Sequence, residues 1–142
     1  MEDALPHLLV ADDDAMNRRL MQLMLRGLAT TEFAEDGDGA LTLLRRGGFD
    51  GAVLDVRMPV RDGLSCARAW REAEAGPDGG SRLPLVACTA NVLPIEQRRA
   101  LGAGFDRVLH KPVFLDALRE TIAWIAAASP REAPARPLAR RA

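Results

Sequence analysis

Short apolar runs alternate along the chain with longer stretches whose apolar residues recur at helical spacing. Strand-length runs fall at His7–Ala11, Thr30–Ala34 ("TTEFA"), Gly51–Asp55 ("GAVLD"), Leu83–Thr89 ("LPLVACT") and Arg107–His110 ("RVLH"). Between and after them, helical periodicity covers residues 15–28, 39–46, 64–75, 94–101 and 113–128. In the first helix Leu20, Leu23, Met24 and Leu28 fall on one face. In the last, Leu115, Leu118, Ile122 and Ile125 form the expected core stripe, and Phe114, Ala117, Thr121 and Trp124 a second one, read as extra core, tolerated surface or a docking face. Strands alternating with helices predict βαβ units on a parallel sheet. "GAVLD" suits a strand covered on both faces, and the more polar "TTEFA" suits an edge.

At 142 residues the chain predicts one domain, here 1–128, followed by a Pro- and Arg-rich tail, 129–142, too poor in apolar residues to fold. The net charge of −1 hides an asymmetry, because the tail carries four Arg and one Glu, leaving −4 on the rest. This balance gives no support to nucleic-acid binding, and fourteen tail residues are too few for a DNA-binding domain. No run approaches the ~18 apolar residues that cross a bilayer, and the start has no signal-peptide pattern, so a cytoplasmic protein without membrane insertion is expected. Cys66 and Cys88 lack CxxC spacing and are read as reduced, buried thiols.

Chemistry concentrates where the strands end. An apolar run closing on three carboxylates, "LLVADDD", needs something to neutralise them. In a doubly wound sheet, ligands bind beyond the carboxyl ends of the strands, where the strand order reverses. With order 2-1-3-4-5, Asp12, Asp13 and Asp14 converge with Asp55, while Thr89 and Lys111–Pro112 end the neighbouring strands. Clustered carboxylates suit Mg²⁺, which keeps several waters and takes one or two carboxylates plus a phosphate oxygen. An Asp there can attack a phosphoryl group, with Lys111 as a point charge and Thr89 as a hydroxyl donor.

Together "ADDDAMNRRL", "LDVRMPVRDG", "ACTAN" and "LHKP", each at a strand end and in this order, resemble the response-regulator receiver domain of two-component signalling over about residues 7–128. The wording is closest to receivers of hybrid sensor histidine kinases or phosphorelays. The resemblance implies a (βα)5, flavodoxin-like α/β fold and Asp55 as phosphoacceptor. It implies Mg²⁺ held by Asp12, Asp13, Asp55 and the backbone carbonyl of Arg57, with Thr89 and Lys111 touching the phosphoryl group. A cis bond before Pro112 follows from it. So does docking of a sensor histidine kinase or histidine phosphotransfer protein through Met16, Asn17, Leu20 and Pro112, by a monomer or weak dimer. Such domains assist their own phosphorylation and dephosphorylation without being enzymes in the ordinary sense. The positions two after Asp55 and Thr89, Arg57 and Asn91, border the path of attacking water in the family.

One position departs from the pattern. Receivers usually carry an aromatic residue three before the lysine; here it is Val108, and the chain has no Tyr. Coupling of the Thr hydroxyl to a rotating ring is therefore not available, and a relay or buffer is the expected output. Asp14 reads as a helix N-cap, and "DGDG" at 36–39 as a turn without calcium-loop spacing. His7 and His110 lack partners at metal-ligand spacing. Two rivals stand: a haloacid-dehalogenase-like phosphatase with Asp12 as nucleophile and Asp14 as acid, for which "ACTAN" lacks a further acidic pair, and a degenerate receiver serving as a scaffold.

Overall fold

The computed structural model describes residues 4–129. Ten elements alternate along them: β1 (His7–Ala11), α1 (Ala15–Leu25), β2 (Thr30–Ala34), α2 (Gly37–Arg46), β3 (Gly51–Asp55), α3 (Gly63–Glu74), β4 (Leu85–Thr89), α4 (Pro94–Ala103), β5 (Arg107–His110) and α5 (Leu115–Ala128). The strands form one sheet in the order β2-β1-β3-β4-β5, every pair parallel. The expected doubly wound α/β topology is therefore present, and the cis bond stands at Lys111–Pro112. No helix among the described residues is long and apolar enough to cross a membrane.

Side-chain alternation along each strand builds two cores. Leu9 of β1, Leu54 of β3 and Leu85 of β4 face one side, with Leu44, Phe49, Cys66 and Phe105. Leu8, Val10, Val53 and Val86 face the other, against Leu25, Leu118 and Ile125. Three helices start on an aspartate whose side chain accepts a first-turn amide: Asp14 from Met16, Asp36 from Gly39 and Asp62 from Ser65. Asp36 thereby gives the "DGDG" stretch a capping role. α4 begins instead with Pro94 and closes on Gly104 in the left-handed region.

Several expectations need correction. α1 ends at Leu25, not residue 28, because the chain turns through Gly27 at φ +80°. Its buried face is Met21 and Leu25, whereas Leu20 and Leu23 are exposed. β4 starts at Leu85: the Leu83 amide is taken by Glu74 Oε2, and Pro84 has no N–H to give. In α5 Leu115 is exposed and Thr121 is buried, its hydroxyl satisfied by the Ala117 carbonyl at 2.9 Å. The second stripe consequently divides: Phe114 and Ala117 face solvent, Thr121 joins the core, and Trp124 lies half-buried under the Arg107 guanidinium, 4.5 Å from its ring centroid.

Two polar clamps hold the sheet where its strands begin. Arg71 on α3 binds Glu74, Asp106 and the Gly104 carbonyl, while Asp106 also accepts the Leu85 amide. At the other side Asp50, 1% exposed, accepts the His7 amide at 2.8 Å and the Ser129 hydroxyl at 3.0 Å. The His7 ring stacks on Phe49 and meets Glu32, which also holds Arg46. The expected tail lies outside the described residues from position 130 onward.

Two predictions arise from the packing. Both thiols are buried, and burial pushes Cys66 up to about 11 and Cys88 up to about 12. In the native protein at pH 8 both should react with Ellman's reagent at least ~100-fold more slowly than a free thiol, and both should titrate promptly in denaturant. Rapid native reaction of either would contradict the packing. Val60, in the loop before α3, sits at φ +70° with its side chain 76% exposed, so no packing offsets the cost of a β-branched residue in that region. Val60→Gly should raise stability by about 1 kcal/mol, the relieved strain exceeding the entropy glycine adds to the unfolded chain. Chemical denaturation measures it; a loss of stability is the contrary result.

Candidate functional site

Parallel pairing of β1 with β3, Ala11 opposite Leu54, brings the residues just past both strand ends to one place. Asp12 continues β1 by donating its amide to Ala34 at 3.1 Å, and Arg18 Nη1 holds its carbonyl at 2.7 Å. Its carboxylate is buried, with Oδ1 accepting the Asp14 amide at 2.9 Å. Asp55, the last residue of β3, is buried too. One oxygen from each of Asp12, Asp13 and Asp55 lies within 4.8 Å of the others, with Asp13 on the exposed side.

Lys111, just past β5, supplies the facing charge. Its Nζ donates to Asp55 Oδ2 at 3.1 Å and to Asp12 Oδ2 at 3.2 Å. Burial pushes the Asp55 carboxyl above the ordinary carboxylate range, and the Lys111 ammonium only partly offsets this. For Lys111, burial disfavours the charge, but the bonds to Asp55 and Asp12 outweigh it and hold the ammonium above the usual lysine value. One ammonium among three carboxylates leaves the cluster short of positive charge, which is the donor set an oxygen-seeking divalent cation requires.

Thr89 ends β4, the strand beside β3, buried, with its hydroxyl oxygen accepting the Asn91 amide at 3.0 Å; it makes no hydrogen bond to the carboxylates. The Arg57 amide faces Asp55 Oδ1 at 3.4 Å, so the β3–α3 loop turns beside the acidic group. Met16 and Leu20 are 74% and 52% exposed on α1, Asn17 is half-buried and Pro112 exposed, and Asn17, Leu20 and Pro112 line one pocket with Lys111. Asp14 is not among the clustered acids; its carboxylate caps α1 by accepting the Met16 amide at 2.8 Å.

Sequence reasoning missed two residues that shape the site. Arg18 pins the Asp12 backbone, a role that a surface-helix arginine does not advertise. Gly63 opens α3 with its amide on the Val56 carbonyl at 2.8 Å, and a Cβ there would come 2.3 Å from the Asp55 carbonyl oxygen. The "DG" before the helix was the available signal.

A doubly wound parallel sheet with an acidic cluster and a lysine at its switch point defines a class of small phosphate-handling modules. Residues 8–123 match the family described as the response regulator receiver domain. The chain belongs to that family. It is 40% identical over 117 residues to the sensor histidine kinase RcsC of Salmonella typhi, covering 82% of this chain and 12% of that protein. The chain therefore spans about an eighth of the length of that relative. The complex of the Saccharomyces cerevisiae histidine phosphotransfer protein Ypd1 with the receiver domain of its downstream regulator Ssk1 contains a chain that superposes with TM-score 0.81, at 25% identity over 91% of this chain and 94% of that one. The receiver domain of the Pseudomonas aeruginosa kinase PA1611, which has a magnesium ion coordinated in its active-site cleft, gives 0.76 and 31% identity over 87% and 99%.

Proposed function

We propose that this chain is a phosphorelay receiver in which Asp55 accepts a phosphoryl group from a phosphohistidine of a sensor kinase or histidine phosphotransfer protein. A carboxylate oxygen of Asp55 forms the new P–O bond as the P–N bond to the donor imidazole breaks, leaving that nitrogen to regain a proton from solvent. The carrying observation is the placement of Asp55 between a cation-competent acid cluster and the Lys111 ammonium at 3.1 Å. Lys111 would move from a carboxylate oxygen to a phosphoryl oxygen, and the Thr89 hydroxyl, whose oxygen already accepts a hydrogen bond, still has its proton to donate. Asp12, Asp13, Asp55 and the Arg57 carbonyl would hold Mg²⁺. When bound, the ion supplies charge neutralisation on the transferred oxygens.

Partners fit the same face. Exposed Leu20 and Pro112 line the pocket beside Lys111, and Met16 is exposed on the same helix, which suits docking of a phosphohistidine-bearing helix. The likeness to the receiver bound by Ypd1 supports this. Val108 is half-buried against the core and carries no ring, which supports a relay, whose output is onward transfer, over a switch. The phosphatase rival loses ground because Asp14 is engaged in capping α1.

Incubation with acetyl phosphate and Mg²⁺, followed by peptide mapping, should place a phosphoryl group on Asp55. Asp55→Asn should reduce labelling by at least ~100-fold. A label on another residue, or steady phosphate release that depends on Asp12 with Asp55 replaced, would overturn the reading.

A further inference from the structure

Behind Lys111 the fold leaves a cavity of about 380 Å³ between α1, the sheet and the start of α5. Its interior is apolar, built by Val10, Val53, Cys88, Met21, Met24 and Val113. The space is open because Ala11, Cys88 and Ala90 on the strand side are small, while Leu20 on α1 lies at the rim, exposed. The volume falls in the range of small-molecule sites, and most of the wall is apolar. Two methionines on one wall can adapt to an occupant's shape.

Three polar side chains reach this space: Asp12, Lys111 and Asn17. The first two are bound to each other at 3.2 Å. Asn17 is half-buried, and its amide makes no hydrogen bond to any described residue. The hydrogen-bonding capacity left over is therefore that of a neutral amide. Asp12 and Lys111 bring one charge of each sign to the wall and already bind each other, so they select neither an anion nor a cation, and an uncompensated charge carried into the apolar interior is disfavoured.

From this we infer that the cavity is a binding site for a small neutral aromatic molecule carrying one hydrogen-bonding group, with the ring among Met21, Met24 and Val113 and the polar group on Asn17. The cavity shares Asp12 and Lys111 with the acceptor pocket, but the inference does not rest on phosphorylation of Asp55. Since Asn17 and Leu20 belong both to the cavity wall and to the proposed docking face, occupancy would tie a small ligand to partner access.

Indole is a suitable probe, having a ring of fitting size and one N–H. With methyl-labelled methionine, titration of the whole chain with indole should shift the Met21 and Met24 methyl signals saturably, leaving Met58, which is not in the lining, in place. Benzoate and benzylamine should leave all of them unmoved. Asn17→Leu should weaken indole about tenfold while binding toluene as well as the parent does. Ala90→Phe at the rim should abolish the shifts. Unmoved Met21 and Met24 signals at millimolar indole, equal movement of Met58, or binding of benzoate as tight as that of indole would each overturn the inference. These spectra need no phosphorylation, so their failure would leave the assignment of Asp55 untouched.

Discussion

Replacing Lys111 with methionine should tighten Mg²⁺ binding about tenfold while lowering phosphoryl uptake by about two orders of magnitude. The ammonium lies 3.1 and 3.2 Å from two carboxylates that belong to the acidic cluster, so it competes with any cation for the same charge. Unit charges at such separations interact by about 5 kcal/mol at an effective dielectric of ~20. Lys111 is a quarter exposed, so solvent reduces this to about 1–2 kcal/mol, and that difference is the gain in affinity. Transfer fails for a separate reason, since the phosphoryl oxygens lose their only ammonium partner among the site residues. The metal-free variant should also be about 2 kcal/mol less stable at neutral pH, with Asp12 and Asp55 left facing one another in a buried setting. Acid should relieve that deficit, because protonating either carboxyl removes the repulsion. Calorimetric titration with Mg²⁺ gives the first number and acetyl phosphate labelling the second; unchanged metal affinity would mean that Lys111 does not compete for the cluster.

Gly63→Ala is expected to destabilise the fold by at least ~2 kcal/mol and to misplace the acceptor. The new methyl would lie 2.3 Å from the Asp55 carbonyl oxygen and 3.0 Å from the Val56 Cα, both backbone atoms that no rotamer change can move. Relief requires α3 to shift away from β3, which lengthens the 2.8 Å bond from the Gly63 amide to Val56 and drags the loop that carries Arg57. The melting temperature should drop by roughly 5 °C or more. Labelling of Asp55 should fall even at temperatures where the variant is folded. A fully stable Gly63→Ala protein would show that the approach of α3 to β3 is not tight.

The inner strands β1, β3 and β4 were legible because burial on both faces writes continuous apolar runs, whereas β2 and β5, more polar and partly exposed, were placed by their alternation with helical stretches; β1, β2, β3 and β5 occupy the residues that reading assigns. Helix faces were less so. Residues 20–25 of α1 read LMQLML, apolar enough that two stripes fit the period equally; only contact with the sheet selects Met21 and Leu25 over Leu20 and Leu23. For Thr121 the pattern left core and surface both open, because its hydroxyl partner is a backbone carbonyl one turn earlier, which no side-chain pattern reveals. The acidic cluster could be anticipated, since strand-end carboxylates must meet once the strand order is known. The cavity behind Lys111 could not, because empty space depends on how far α1 stands from the sheet.

The buried Asp50 has a further consequence. It grips the backbone where β1 enters and the hydroxyl just after α5 leaves, so both leads depart together at the pole of the sheet opposite the acceptor. A tether at either lead, whether a fluorophore, a surface linker or a neighbouring domain, can thus be attached without crowding the reactive rim. A single carboxylate makes the module a bead that can hang from one point with its working face turned outward.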